Sequence, residues 1–243
     1  MTTTSPIQPR YRLADHVRAC HVDGQVILLD LQRGKYIGMG GPLLAELSSQ
    51  ILGWPTASTA STGRTPDDEV HRGISELRRQ HLLVAGSSAP LAEIDIASPL
   101  ETLAESGEAL ASERRWRGLA SIACSSFVAA RWLKRDSLAT IASNVSQLRP
   151  SQIGTAASCP SADLRRAVSS YHRLRPLIMT SQDKCLHDSL TLVRFLATRS
   201  LYPRWVIGVR TRPFAAHSWV QAGSTVLNDL HERVRGFTPI LVV

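Results

Sequence analysis

Residues 17–39 carry three short apolar runs separated by turn residues, a pattern typical of antiparallel strands. Val17–Val22 and Gln25–Asp30 flank an Asp-Gly dipeptide, which strongly favours a two-residue hairpin turn. Lys35–Met39 follows a short Gln-Arg-Gly turn and completes the pattern. The sequence therefore predicts a three-stranded meander.

Helical spacing of apolar residues dominates most of the remaining chain. Asp67–Gln80 has acidic residues in its first turn and two arginines in its last, which complements the helix dipole. Further helices are predicted at residues 42–51, 101–110, 114–133, 137–148 and 161–174, and one begins at Cys185. Three more strands are predicted at Trp205–Arg210, Phe214–Val220 and Thr225–Asp229. Together these elements predict an α+β fold.

Small and polar residues divide the chain into two predicted domains. Its 243 residues are enough for two small domains at about 100–200 residues each. Prolines, serines and other small residues mark residues 87–99 as a linker. We therefore expect an N-terminal module at 1–86 and a C-terminal domain at 100–243.

The net charge of +8 is concentrated in one part of the chain. Residues 1–86 are nearly neutral and 87–150 are neutral, so almost all of the excess lies in 151–243 and comes from arginine. A basic surface suits an acidic partner. However, no basic run is interleaved with aromatic residues, and the N-terminal module lacks the charge of a DNA-binding domain. We therefore expect no nucleic-acid partner.

Cysteine and histidine spacing predicts neither a metal site nor a disulfide framework. The four cysteines form no CxxC pair, and the histidines lack metal-ligand spacing. The longest apolar stretch, residues 119–133, is too short to span a bilayer, and the N-terminus lacks a secretory signal pattern. No membrane association is expected, and the cytoplasm is the expected location.

Three residues near the C-terminus form a candidate catalytic set. A three-residue turn centred on Gly223 would place His217 opposite Asp229, whose carboxylate could fix the imidazole tautomer. Cys185 opens a helix, and a helix N-terminus lowers the pKa of a thiol. Cys185, His217 and Asp229 would then supply a nucleophile, a base and a residue that orients the base. Gln182 is a candidate oxyanion donor. A small buried cysteine, a core histidine and a capping aspartate remain the alternatives.

The same segment carries a family resemblance in three motifs: Cys185-Leu-His-Asp-Ser-Leu-Thr-Leu, Trp205-Val-Ile-Gly-Val-Arg and Pro213-Phe-Ala-Ala-His-Ser-Trp-Val. In this order and spacing they resemble the B proteins of lasso-peptide biosynthesis over about residues 160–229. Ser218 stands where that family often has alanine. The resemblance implies a papain- and transglutaminase-like cysteine peptidase domain, with Cys185 as nucleophile, His217 as base and Asp229 as orienter.

The activity that the resemblance implies is hydrolysis of the bond between the leader and core of a ribosomally made precursor peptide. It also implies a partner enzyme, an ATP-dependent lactam synthetase resembling asparagine synthetase, which closes a ring on the freed amine. No phosphate-binding glycine-rich loop occurs in this chain, so we expect it to need no cofactor and any ATP to be used by the partner.

The N-terminal module resembles the winged-helix-like precursor-recognition element of ribosomal-peptide enzymes, a relative of the pyrroloquinoline-quinone chaperone with three strands and three helices. The middle helix of that pattern would fall in the Thr/Ser-rich segment Gly53–Thr65. In this family a leader peptide adds as a strand beside the third strand and packs against the last helix. The candidate leader-binding residues are Lys35, Tyr36, Ile37 and Arg78.

Three other functions remain open at this point. An acyltransferase would use the same three residues but pass the acyl group to an amine. A non-catalytic peptide-binding adaptor would keep the fold as a scaffold. A nucleic-acid-binding regulator would show steeply salt-dependent DNA affinity.

Overall fold

The computed structural model describes residues 11–55, 67–86, 96–103, 112–150, 160–179 and 185–243. The chain divides into two compact units, Met1–Glu93 and Ile94–Val243. Of the predicted linker, residues 87–95 lie outside the described residues, and 96–99 belong to the second unit. No described helix is both long enough and apolar enough to cross a membrane.

The first unit contains the predicted meander. Its elements are β1 (Tyr11–Leu13), β2 (Val17–Val22), β3 (Gln25–Asp30), β4 (Lys35–Gly40), α1 (Leu43–Gln50), β5 (Ile51–Leu52), α2 (Asp67–Arg79) and β6 (Leu83–Ala85). Strands β2, β3 and β4 are antiparallel in that order, as predicted. Asp23 and Gly24 both have positive φ, at 49° and 77°, as a type I′ turn requires.

Helix α2 packs its predicted face into the core of this unit. Val70, Ile74 and Leu77 are all buried, as their spacing indicates. A second small sheet, in the order β5-β1-β6, was not predicted, because strands of two or three residues carry no periodic signal. The predicted middle helix falls largely on residues 56–66, which lie outside the described residues. The winged-helix assignment of this module therefore stays a prediction.

The second unit packs helices against a sheet whose strands are mostly antiparallel. Its elements are β7 (Glu101–Thr102), α3 (Ser112–Arg135), α4 (Leu138–Leu148), α5 (Ala162–Leu174), a 3₁₀ turn (Arg175–Leu177), α6 (Cys185–Ala197), β8 (Arg204–Thr211), β9 (Phe214–Ala222), β10 (Thr225–Val226), α7 (His231–Val234) and β11 (Thr238–Val242). The strand order is β11-β8-β9-β10-β7. Helices and sheets in both units confirm the α+β class.

Two predictions in this unit were wrong. Glu101 does not begin a helix: Glu101–Thr102 is strand β7, paired in parallel with β10, because its neighbours bond to the backbone of Ser224 and Val226. The predicted strand Thr225–Asp229 ends at Val226. Helix α7 and strand β11 follow without having been predicted.

The β8–β9 hairpin and α6 set the place of the candidate site. Trp205 and Trp219 are buried on these strands, and α6, whose residues from Ser189 to Leu196 are mostly buried, packs against both strands. Apolar burial of this kind is the main force that docks a helix on a sheet. It brings the first turn of α6 beside the middle of β9.

Candidate active site

Three separate elements bring Cys185, His217 and Asp229 together. Cys185 is the first residue of α6, His217 lies within β9, and Asp229 follows β10. His217 Nε2 lies 2.6 Å from Asp229 Oδ2. The imidazole also shares a hydrogen bond with the Cys185 thiol. Because Nε2 faces the carboxylate, Nδ1 is the nitrogen left for the thiol.

The pKa values of the three groups favour a charged pair. Burial lowers the pKa of His217, but hydrogen bonds to Asp229 and Cys185 outweigh it and raise the pKa to about 9. The hydrogen bond to His217 lowers the pKa of the Cys185 thiol against the opposing effect of burial. Backbone bonds to Ser218 and Leu186 lower it further. A thiolate beside an imidazolium is thereby stabilised, and a thiolate is the nucleophilic form of cysteine.

Asp229 stays ionised in this arrangement. Burial raises the pKa of its carboxyl group, but hydrogen bonds from His217 and from the Leu230 N–H lower it to a larger extent. The positive charges of His217 and Arg233 act in the same direction. A fixed carboxylate of this kind can hold one imidazole tautomer and orientation.

The geometric argument that paired His217 with Asp229 was wrong in its register. Thr225 pairs with Ala222 and Val226 with Gln221, so the turn has two residues, Gly223 and Ser224, rather than three. Strand β10 then ends before residue 229 is reached. The contact between the two side chains therefore arises from the path of the chain after β10, not from cross-strand pairing.

Aromatic rings hold the imidazole on its strand. Trp219, two residues along β9, stacks near His217 at 6.3 Å between ring centroids and 19° between planes. The centroid of the Phe237 ring lies 5.3 Å from the centroid of the His217 imidazole. Trp219 therefore packs beside the imidazole, as its alternation along the strand predicts.

The three residues line a cleft of about 530 Å³. Sequence reasoning missed several polar groups that also line it: His172, Arg175, Asp188, Asn228 and Arg233. Asp188 could have been found, because residues three apart on a helix share a face and it follows Cys185 by three. The others come from distant segments, and no local pattern links them to the cysteine.

A buried hydroxyl cluster supports the site from behind. Ser218 Oγ lies 2.8 Å from Ser189 Oγ, and Trp205 Nε1 donates to both, at 2.9 and 3.0 Å. Ser218 also donates to the carbonyl of Val206. The serine that departs from the family pattern therefore links α6 to the β8–β9 hairpin.

The remaining candidate residues lie elsewhere or outside the described range. Gln182 lies outside the described residues. Lys35, Tyr36 and Ile37 lie on β4, an edge strand whose only strand partner among the described residues is β3. The Arg78 guanidinium lies 5.6 Å from the Tyr11 ring centroid, over β1. Across the described residues, no group of three His, Cys, Asp or Glu side chains could hold a metal ion.

Comparison with known proteins gives two matches to this chain. The family model of the transglutaminase-like superfamily matches residues 123–242. The microcin J25-processing protein McjB of Escherichia coli is 41% identical over 66 residues, which cover 27% of this chain and 31% of McjB. No solved structure gives a significant match. The predicted resemblance is confirmed: this chain is similar to the transglutaminase-like superfamily over residues 123–242 and to McjB over 66 residues.

Proposed function

We propose that this protein is a cysteine peptidase that removes the leader from a ribosomally made lasso-peptide precursor. The observation that carries the proposal is the contact of His217 with both Asp229 and the Cys185 thiol at the start of α6. The similarity to McjB, a microcin J25-processing protein, supplies the class of substrate.

The proposed reaction follows from the charges at the site. The Cys185 thiolate attacks the carbonyl carbon of the leader–core bond, and the His217 imidazolium gives its proton to the leaving core amine. The leader is then held as a thioester on Cys185. His217, now neutral, takes a proton from water, which attacks the thioester and releases the leader carboxylate. Asp229 keeps the imidazole oriented and stabilises its charged form throughout.

Stabilisation of the tetrahedral oxyanion needs N–H donors near the start of α6. The Cys185 backbone N–H, at the start of a helix of 13 residues, is well suited to that role. We propose Gln182 as a further donor, since it precedes the nucleophile by three residues. A Gln182→Ala variant should slow cleavage while leaving precursor binding unchanged.

The first unit is proposed to bind the leader along the edge of β4 that faces away from β3, by adding the leader as a further strand. Binding the leader on the same chain as the nucleophile makes presentation of the cleavage site an intramolecular event at high effective concentration. The second unit then needs little affinity for the few residues that flank the scissile bond.

The proposed partner is an ATP-dependent lactam synthetase resembling asparagine synthetase, which would act on the freed core amine. The peptidase itself is proposed to need no cofactor, because attack by a thiolate requires no ATP. We place both steps in the cytoplasm, where a free thiol remains reduced.

The test is mass spectrometry of a precursor peptide encoded beside the gene, incubated with the wild-type protein and with Cys185→Ala. We expect cleavage by the wild type only, with a gain of one water across the two fragments. Cys124→Ala is the matched control, because Cys124 is exposed on α3 and does not line the cleft. It should cleave at the wild-type rate.

Other outcomes identify the alternatives. Transfer of the leader to an added amine without a gain of water would indicate an acyltransferase. Binding of the precursor without cleavage, even when the neighbouring synthetase and ATP are present, would indicate an adaptor. Equal cleavage by wild type and Cys185→Ala would contradict the assigned nucleophile.

A further inference from the structure

The segment Leu227–Asp229 leaves the sheet just before it reaches His217. The Leu227 N–H still donates to the Val220 carbonyl at 2.9 Å, as in a continuing ladder. At the next step the ladder changes, because the Val220 N–H donates to the side-chain Oδ1 of Asn228 at 2.8 Å. A side chain thus replaces a backbone acceptor and ends the pairing, which frees Asp229 to turn towards the imidazole.

The other end of the Asn228 amide is anchored to the nucleophile helix. Its Nδ2 donates to Asp188 Oδ2 at 3.0 Å, and Asp188 lies in the first turn of α6, three residues after Cys185. Asp188 also accepts hydrogen bonds from the Tyr171 hydroxyl at 2.8 Å and from Arg175 at 3.2 Å. Burial raises the pKa of Tyr171, so its hydroxyl remains a donor. The Asp188 carboxylate that accepts from Asn228 is therefore also held in place by Tyr171 and Arg175.

We propose that Asn228 is a positioning residue that holds Asp229 against His217 and, through Asp188, ties that contact to the helix of Cys185. The inference rests on the proposed roles of Cys185, His217 and Asp229. Asn228 would act only through its neighbours. His172 assists from α5, because its Nε2 lies 2.7 Å from the Leu227 carbonyl.

Several titratable groups face this region, and replacing Asn228 by alanine alters the identity of none of them. They are His172 on α5, Arg175 on the 3₁₀ turn, Asp188 on α6 and Arg233 on α7. His231, also on α7, has its Nδ1 3.0 Å from the hydroxyl of Thr102, which lines the same cleft. Asn228 itself is neutral. A changed titration of Cys185 in Asn228→Ala would therefore report a displaced Asp229 rather than a lost charge. Without a nearby carboxylate the imidazole is less basic, and the neutral thiol is favoured.

The experiment measures iodoacetamide alkylation of Cys185 as a function of pH, with the site resolved by peptide mass mapping. In the wild type the reactive thiolate should persist below the ordinary thiol pKa, because the bond to His217 lowers the pKa of Cys185. In Asn228→Ala the midpoint should move towards that ordinary value. A shift of one pKa unit lowers the rate at mildly acidic pH by about tenfold. An unchanged profile in Asn228→Ala would overturn the proposal.

Three further variants separate positioning from general destabilisation. Ser137→Ala removes the N-cap bond of α4 and should lower stability without moving the Cys185 profile. Asn228→Asp places two carboxylates face to face and should behave like Asn228→Ala. Adding Asp188→Asn to it restores a donor–acceptor pair with the roles exchanged, and should recover most of the wild-type profile. Absence of recovery, with both proteins folded by circular dichroism, would also contradict the proposal.

Alkylation requires no precursor peptide, so this test is independent of the proposed function. A protein that fails to cleave any precursor can still show the dependence on Asn228. Conversely, cleavage that depends on Cys185, together with an unchanged profile in Asn228→Ala, would retain the peptidase and reject the positioning role.

Discussion

Asp229 contacts His217 from a position beyond the end of its strand. Their side chains meet at 2.6 Å, yet the observed register of β9 and β10 would, if continued, place Leu230 opposite His217. The second oxygen, Asp229 Oδ1, accepts the Leu230 N–H at 2.7 Å. The carboxylate is thus fixed at both oxygens, which gives it one orientation towards the ring.

Replacing this carboxylate should impair cleavage more than binding. In Asp229→Asn the amide can present an N–H to His217 and favour the wrong tautomer, so we expect kcat to fall by about 10²–10⁴-fold. The precursor KM should change little. Glu232→Gln, which removes a carboxylate from the exposed face of α7, is the control and should retain wild-type kinetics. Equal loss in both variants would point to a general charge effect.

The coupled pKa shifts predict how stability depends on pH. His217 has a folded pKa raised from 6.5 to about 9, so its contribution is complete below 6.5 and is lost as pH rises towards 9. The Cys185 pKa is lowered from 9.0, so its contribution is complete above 9.0 and is lost as pH falls through the folded pKa. Between these two pH limits, the stabilisation from His217 falls with rising pH while the stabilisation from Cys185 increases.

Cys185→Ala removes the contribution of the thiol, so the stability of this variant should show the pH dependence that is due to His217. Its free energy of unfolding should fall more steeply than that of the wild type as pH rises above 6.5. The fall should be complete below pH 9, because the variant lacks the hydrogen bond to Cys185 that helps to raise the His217 pKa. Urea denaturation at several pH values in this range provides the measurement. Cys124→Ala should follow the wild-type curve, and parallel curves for wild type and Cys185→Ala would argue against the charged pair.

Gly208 should not tolerate a side chain. It lies opposite His217 on the neighbouring strand, and a Cβ there would come within 2.8 Å of the Trp219 ring and 3.0 Å of the Phe237 Cβ. Both rings pack beside His217, so Gly208→Ala should destabilise the protein by about 1–3 kcal/mol and lower the cleavage rate. Gly236→Ala, whose Cβ would meet its nearest atom at 3.5 Å, should cost much less. Thermal denaturation compares the two.

The serine pair behind the site should show strong coupling. In Ser218→Ala the Trp205 Nε1–H can still donate to Ser189, and in Ser189→Ala it can still donate to Ser218. Each single substitution should therefore lower the free energy of unfolding by about 1 kcal/mol. The double variant leaves the buried indole N–H without either serine as acceptor. Its free energy of unfolding should therefore fall by more than the sum of the two single effects. A double-mutant cycle from urea denaturation measures the excess. Simple additivity would mean that the indole finds another partner.

Leader binding should distinguish two neighbouring arginines on α2. Arg78 lies over Tyr11, whereas Arg79 pairs with Glu76 on the same helix. If the leader binds between the β4 edge and α2, Arg78→Ala and Lys35→Ala should each weaken binding of a fluorescent leader peptide several-fold. Arg79→Ala should bind like the wild type. Equal effects of Arg78→Ala and Arg79→Ala would indicate only nonspecific attraction by positive charge.

Elements with strong local signals could be predicted from the sequence alone. The Asp-Gly turn, the three-stranded meander and the buried face of α2 follow from alternation and helical spacing, which depend on neighbours in the chain. The start of a helix at Cys185 and the strand carrying His217 were predicted for the same reason. Strands of two residues, such as β7, were missed because only their partners stabilise them.

How the three site residues meet depends on packing between distant segments of the chain. A turn of two residues instead of three changes every cross-strand pair, and nothing in the local sequence separates the two turns strongly enough. Asp229 meets His217 because Asn228 ends the ladder and bonds to Asp188, 40 residues away in the chain. Such bonds form only after α6 has packed on the sheet, so sequence pattern alone could nominate the three residues but not explain how they meet.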